Sequence, residues 1–433
     1  MGSIQEERSS SSVVHSHHEE EEIQPATPTG QYFNSSVMSL SIVAVLESEI
    51  PIDDSLITMT LLNDVFLPIN PRFSSIVVRD ENGGNQYWKK VTVKLEDHVK
   101  VPVYPDGLSL ESYDKYFDEY LTKLGMERLP ESRPLWEISI FKYPTSKAAG
   151  TLIFKLHHAL GDGYSLMGAL FTCLKRADNP SLPLTFPSLR PDYNNNNKKK
   201  SVLGLLSVFK NTVTDFAWSL IKSNVLEDHV SPIRSANPGV EFRPISISTV
   251  TFSLDQIKQI KAKLGGTVNE VIVGIIFYGT RLYMDAASKG SGNARTTSLV
   301  LLNTREITSY QTVEEMAKPD TKGPWGNNFG FLHVSIPGMV DVETADPLEF
   351  VFEAKKMIMK KKSSLAVYLT GRFLELMRSL RGLEVTASYI RGTLWNTSMT
   401  ITSLMGPIEQ MSLANHPVKG LYFMVVNAPQ VKT

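Results

Sequence analysis

The 433-residue chain has one cysteine, Cys173, so no internal disulfide can form and the sequence suits a reducing compartment. Neither charge is in excess. The 44 Lys and Arg against 45 Asp and Glu give a net charge of −1, which leaves no electrostatic footprint for nucleic acid. No run of 18 uninterrupted apolar residues occurs, so no clean membrane span is predicted, and no secretory signal is visible. What is present, 42% apolar and 21% charged residues, is a globular composition with length for two or three domains. Residues 1–30 read as a disordered tail, with Ser9 to Ser12, then His15, His17, His18 and Glu19 to Glu22. This His/Glu cluster is not assigned a metal.

The most informative stretch runs from Thr151 to Ala177. Leu152 to Leu156 reads as a buried strand, and Gly161 and Gly163 break it. Beyond Tyr164 the period becomes helical, with Leu166, Met167, Leu170, Phe171 and Leu174 on one face and Cys173 packed in the core. His157, His158, Asp162 and Gly163 therefore lie in a tight loop between strand and helix, where rigid elements present reactive side chains. A histidine there can take a hydroxyl proton near neutral pH.

Upstream, strands are predicted over Val37–Leu46, Phe73–Val78 and Lys89–Lys94, the last two joined by the turn Asn82-Gly83-Gly84. A helix is expected from Ile57, closed by Pro68 and Pro71. Ser109 caps a helix that Gly125 is expected to stop, with Leu110, Tyr113, Phe117, Leu121 and Leu124 inward. Arg133 to Ile140 alternates as a strand. Asp178 to Lys200, rich in Pro, Asn and Lys, reads as a crossover. Ser201 to Ser223 is amphipathic and follows a basic cluster. That pattern fits a segment in a membrane interface and equally a helix packed on its own protein. Further on, Ser253 and Thr267 open two helices with capping boxes, and Glu270 is the structural acid of the second. Ser298–Leu302 and Phe331–Ile336 are strands. Asp346 opens a helix ending in Lys355, Lys356 and Lys360 to Lys362, either a solvated face or a contact for phosphates.

His157-His158-x-x-x-Asp162-Gly163 resembles the active-site motif of the CoA-dependent acyltransferase superfamily. Pro134-Leu135-Trp136, Asn269-Glu270 in place of Asn-Asp, Asn303-Thr304-Arg305, Trp325-Gly326-Asn327-Asn328-Phe329-Gly330 and Ser403-Leu404-Met405-Gly406-Pro407 resemble motifs of its wax ester synthase/diacylglycerol acyltransferase branch. The resemblance implies an α/β fold of two chloramphenicol-acetyltransferase-like halves with mixed sheets and a tunnel between them. It implies His158 as base, with His157 and Gly163 in the catalytic motif, and Asp162 as a loop anchor held by an arginine. Arg305, Arg133 and Arg243 are the candidates. Trp136, Asn269, Asn303, Arg305 and Asn328 are assigned to substrate binding, Trp136 having core packing as its other reading.

The expected organisation is a tail (1–30), an N-terminal half (31–177), a crossover with its amphipathic helix (178–239) and a C-terminal half (240–433). Family members continue past the position of Thr433 with a strand and a helix, so the last elements are expected to be missing and Gly420–Val426 to have an open edge. The expected activity is esterification of a long-chain fatty alcohol or of diacylglycerol by acyl-CoA, without metal or cofactor. The partners would be acyl-CoA, the acceptor and a membrane surface, not nucleic acid. The expected location is the cytosolic face of the endoplasmic reticulum membrane, with the plasma membrane as a second possibility. Two alternatives accompany this: a truncated variant that binds acyl-CoA or lipid without turnover, and a soluble acyltransferase for small alcohols. The paired histidines, Pro-Leu-Trp and the lack of Asp-Phe-Gly-Trp-Gly weigh against the latter.

Overall fold

The structure, a computed structural model, describes residues 23–53, 59, 61–80, 85–187, 202–305, 311–316, 318 and 320–427. Residues 1–22, the Asn82-Gly83-Gly84 turn and most of the Pro/Asn/Lys crossover lie outside the described residues.

The central element is a seven-stranded mixed sheet. Its strands in chain order are β2 (Leu40–Ser48), β5 (Val99–Lys100), β6 (Trp136–Phe141), β7 (Gly150–His157), β8 (Leu174–Arg176), β12 (Met411–Leu413) and β13 (His416–Asn427). In space they run β5-β6-β7-β2-β13-β12-β8. β2 lies antiparallel between β7 and β13, with Ser41 opposite His157 and Val45 opposite Tyr422. Alternation along β2 covers both faces, as the strand period requires. Ile42, Ala44 and Leu46 join the core formed with Phe154, Leu156 and α3 (Gly163–Cys173). Val43 and Val45 meet Phe117, Leu121 and Leu124 of α2 (Leu110–Met126).

β7 is buried throughout, Lys155 included. The Lys155 ammonium reaches the carbonyls of Leu124 and Glu127 at 2.5 and 2.6 Å, at the carboxyl end of α2. A cation there complements the helix dipole, and burial lowers the lysine to about 8.

Two smaller sheets complete the fold. One is β1 (Ile23–Pro25), β4 (Gln86–Lys90) and β3 (Ser75–Arg79) in that order. The other orders β10 (Phe329–Ser335), β9 (Thr297–Asn303) and β11 (Met399–Ile401). On the latter pack α6 (Val268–Ala287) and α8 (Pro347–Lys362), through Val273, Phe277, Phe350 and Ala354. The remaining helices of eight or more residues are α4 (Val202–Asn224), α5 (Leu254–Leu264), α9 (Ala366–Arg381) and α10 (Leu383–Trp395). Short α1 (Pro28–Tyr32) and α7 (Val313–Met316) are also present among the described residues.

Several expectations need correction. Structure begins before Gln31: Ile23 pairs with Lys89, and Pro28 opens α1 at a position where its missing N–H costs nothing. β4 lies ahead of the expected 89–94. The helical stretch runs through Pro68, which sits in the first turn of Leu67–Ile69, and ends at the extended Asn70 just before Pro71. Gly125 does not stop α2; the helix runs on to Met126, and a Cβ on Gly125 would come within 2.6 Å of Ile245. Leu110 is exposed. Gly420–Val426, by contrast, keeps the expected open edge among the described residues: it pairs with β2 on one side, within a strand matched from Val418 to Asn427. On its other side only His416 and Pro417 pair, with β12. The C-terminal part of the chain thus completes the N-terminal sheet.

One contact tests this packing directly. α6 approaches α8 at Gly274, where a Cβ would stand 2.6 Å from Val351 Cα. Helix propensity alone favours Gly274→Ala by about 0.8–1 kcal/mol, whereas overpacking costs about 1–3 kcal/mol. The variant is therefore expected to unfold at a lower denaturant midpoint than the parent. A raised midpoint would contradict the close approach.

Candidate active site

β7 delivers His157 and His158 to the end of the sheet, where the His158 amide donates to Leu40 O on β2 at 2.8 Å. The two imidazoles then divide. His157 Nδ1 accepts from the Ala159 amide at 3.1 Å, so its proton is on Nε2, which donates to Ser39 Oγ at 3.1 Å. Both nitrogens are used in holding the loop. Burial pushes His157 down to about 3, and it is neutral at every ordinary pH.

His158 is placed differently. Its Nδ1 is 2.8 Å from Asn327 Oδ1, an acceptor only, so Nδ1 carries the proton and Nε2 the lone pair. The Asn327 amide is oriented by a second bond, from Nδ2 to His158 O at 2.9 Å. The ring lies between Phe33 and Phe329, at centroid distances of 4.7 and 5.6 Å. Burial lowers its pKa, outweighing the opposing pull of the Asp162 charge, so the neutral base predominates at pH 7.

Asp162 caps α3, its Oδ1 accepting from the Ser165 amide at 3.0 Å. Arg305 grips the same carboxylate bidentately, Nη1 to Oδ2 at 2.6 Å and Nη2 to Oδ1 at 3.0 Å. Arg305 also donates to Ser165 Oγ and to the carbonyls of Gly326 and Pro324. The Asn328 amide donates to Asp162 Oδ2 at 2.9 Å. The carboxylate is committed to this clamp, which ties α3 to the end of β9 and to the Gly326–Asn328 loop. Among the three arginines considered, Arg305 holds Asp162; Arg133 instead donates to Asp97 O.

A cavity of about 420 Å³ opens here, lined by His158, Asp162, Gly163, Asn269, Asn303 and Arg305 among others. Its walls are otherwise largely apolar, including Ile42, Met167, Leu301, Leu404, Phe423 and Val425. Asn303 Oδ1 accepts from the Arg305 amide, and Asn269 Oδ1 accepts from Ser403 Oγ at 3.0 Å. Glu270 completes the capping box of α6 with Thr267. Gly163 leaves room for Leu404, whose Cδ1 would be 3.0 Å from a Cβ at that position.

Three residues assigned from the sequence do not line this cavity. His157 is turned into the loop. Trp136 is in the core, stacked on His98 at 4.1 Å with its Nε1 bonded to Phe73 O. Asn328 contributes its backbone to the clamp, while its side chain donates to Pro324 O. The member of the Asn pair whose side chain meets His158 is Asn327, which the motif contained but did not single out. Phe33 had no sequence signal at all. Three of the five lysines considered for CoA phosphates have other partners: Lys355 bonds the Leu264 and Gly265 carbonyls, Lys356 pairs with Glu353 and Lys361 with Asp215.

Asp162→Asn removes the charge opposite a buried guanidinium, and breaking a buried pair from one side costs about 3–5 kcal/mol. Equilibrium unfolding of that variant is expected to show a loss of this size. A loss below about 1 kcal/mol, the range of surface pairs, would contradict the clamp.

Residues 63–272 match the model of the wax ester synthase/diacylglycerol acyltransferase catalytic domain, and residues 325–433 that of the WS/DGAT C-terminal domain. Wax ester synthase/diacylglycerol acyltransferase 4 of Arabidopsis thaliana is 30% identical over 426 residues, covering 92% of this chain and 80% of that protein. Number 11 of the same plant is 30% identical over 432 residues, covering 95% and 87%. Among solved structures, the wax ester synthase/diacylglycerol acyltransferase from Marinobacter aquaeolei VT8 superimposes with a TM-score of 0.54 at 14% identity, covering 94% of this chain and 88% of that one. The EpoB cyclization-docking bidomain from Sorangium cellulosum gives 0.50 at 13% identity, covering 95% and 76%. These two likenesses identify the fold as the two-lobed mixed α/β architecture expected from the motifs. Together with the matches along the sequence they carry the conclusion that the chain belongs to the wax ester synthase/diacylglycerol acyltransferase family and is an acyltransferase.

Proposed function

We propose that this protein transfers the acyl group of a long-chain acyl-CoA to the hydroxyl of a fatty alcohol or of diacylglycerol, with His158 as general base. The observation that carries this reading is the His158–Asn327 hydrogen bond, which leaves the Nε2 lone pair available on a ring that lines the cavity. Nε2 takes the acceptor's hydroxyl proton while the oxygen bonds to the thioester carbon. The carbonyl electrons move onto oxygen and return as the C–S bond breaks. The departing thiolate takes the proton back from Nε2. No acyl-enzyme and no cofactor enters this sequence; acyl-CoA is a substrate.

Asn327 Oδ1 accepts from Nδ1 in both the neutral and the imidazolium form, so the ring need not move between the two proton transfers. Asp162 acts as an anchor, since its oxygens are taken up by Arg305, Ser165 and Asn328. Asn269 lies in the first turn of α6, and a helix N-terminus favours negative charge. We assign it to the carbonyl oxygen as charge develops there.

The apolar walls support a long chain over a small polar acceptor. The Arabidopsis relatives, named wax ester synthase/diacylglycerol acyltransferases, support the same choice of acceptors. We place the reaction at the cytosolic face of the endoplasmic reticulum membrane, where such acceptors dissolve. No helix among the described residues is long and apolar enough to cross a membrane.

Purified protein given palmitoyl-CoA with hexadecanol or diacylglycerol is expected to form ester. His158→Ala should lower kcat by about 10²–10⁴-fold, the span of general-base catalysis. The pH dependence follows from the direction of the shift. The active form is neutral His158, and burial lowers its pKa, so kcat/KM should be level through neutrality and fall only below about 6.5. An acid limb centred above that value, or full activity in His158→Ala, would refute the base assignment.

A further inference from the structure

Helix α4 is turned the wrong way round for a helix that packs only on its own protein. Such a helix buries its apolar stripe and leaves its polar side in water. Here the polar side is inward. Lys222 and Asp228 form a 2.7 Å ion pair with both side chains at 0% exposure. Asp215 pairs with Lys361 at 2.6 Å, Thr212 Oγ1 accepts from the Leu365 amide, and Ser223 Oγ meets Thr393 Oγ1. The apolar side is outward: Leu206 is 59% exposed, Phe209 69% and Val213 51%.

The neighbouring helix extends this face. α9 packs beside α4, with Phe216 edge-on to Phe373, and leaves Tyr368, Leu376 and Leu380 exposed. An exposed apolar face of this extent marks a surface that is covered by something. Its charge indicates by what. α4 and α9 together have five Lys and Arg against two Asp and Glu, on a chain whose net charge is −1. Asp215 and Lys222 are each buried in an ion pair, which leaves Lys210, Arg372, Arg378 and Arg381 against Glu375. Apolar side chains edged by cations such as Lys210 and Arg381 match an interface of acyl chains beneath anionic headgroups.

We infer that the α4–α9 face docks on an anionic lipid bilayer, with Leu206, Phe209 and Val213 entering the headgroup–acyl boundary. This deepens the proposed function by naming the surface from which a water-insoluble acceptor is drawn, and it rests on that reading only for the identity of the acceptor. The contact reaches the site through α9. Val367 of α9 fills the space where Gly330 has no side chain, with its Cγ1 2.2 Å from where a Cβ would be, and Gly330 follows Phe329 at the wall of the cavity.

The test is co-sedimentation of the full chain with phosphatidylcholine vesicles, with and without phosphatidylserine, beside a Phe209→Asp/Val213→Asp variant. Both positions are exposed, so folding should be retained, and circular dichroism checks this. Esterification of a short water-soluble alcohol without vesicles is measured in parallel. Binding that needs phosphatidylserine, weakens with salt and drops about tenfold or more in the variant, while the soluble reaction is unchanged, supports the inference. It would be overturned by a parent protein that ignores both vesicle types, by binding that survives the double substitution, or by a parent dimer that the substitutions convert to monomer. If no esterification occurs but vesicle binding behaves as stated, the chemical reading fails and the docking surface stands.

Discussion

The Asp162–Arg305 ion pair is the constraint on which the site depends. One carboxylate accepts the first-turn amide of α3, both arms of a guanidinium from the end of β9 and the amide of Asn328. With side chains 7% and 1% exposed, neither charge has water to fall back on, so the pair holds only if every lone pair is used. That requirement fixes the Gly326–Asn328 loop against α3. It thereby brings Asn327 to His158 from a segment 169 residues away in sequence. The aspartate thus acts on the base through geometry, beside the pull of its charge on the His158 imidazole.

The rest of the molecule can be read as support for this junction. β13 returns from the C-terminal part to lie beside β2, so the sheet that ends in His158 is completed by the later chain. α3 is held from above by Leu404 at Gly163 and from within by the core around Leu166 and Leu170. The cavity then takes its polar groups from β7, α6 and β9 and its apolar walls from β2, β13 and α3. Membership of the wax ester synthase/diacylglycerol acyltransferase family and this arrangement are consistent. The residues that match the family's motifs include the clamp, and the clamp organises the candidate base.

Much of the site was legible in the sequence because the paired histidines, Asp162 and Gly163 sit where periodicity changes from strand to helix. Asn303-Thr304-Arg305 likewise marked a strand end, and Arg305 was among the arginines considered for Asp162. What was not legible depends on direction. His157 and His158 are adjacent, and only the loop's hydrogen bonds separate a structural ring from one facing the cavity. Asn327 and Asn328 differ in the same way, one giving its side chain and the other its backbone amide. Trp136 on an alternating strand could face pocket or core, and its contact with His98 decides. For α4 the period fixed a stripe but not which side faced inward, since Lys222, Asp228, Asp215 and Lys361 are paired only in three dimensions. Gly125 looked like a helix stop because the sequence does not show Ile245 against it.

The chemistry proposed for the site turns on His158 being a neutral imidazole with its proton on Nδ1 and its lone pair on Nε2. This is measured most directly by ¹⁵N NMR of protein labelled in the histidine rings, with His158→Gln used to assign the signals. At neutral pH, a protonated Nδ1 and an unprotonated Nε2 are expected for His158. A His158 ring that is protonated on Nε2, or doubly protonated, at that pH would contradict it.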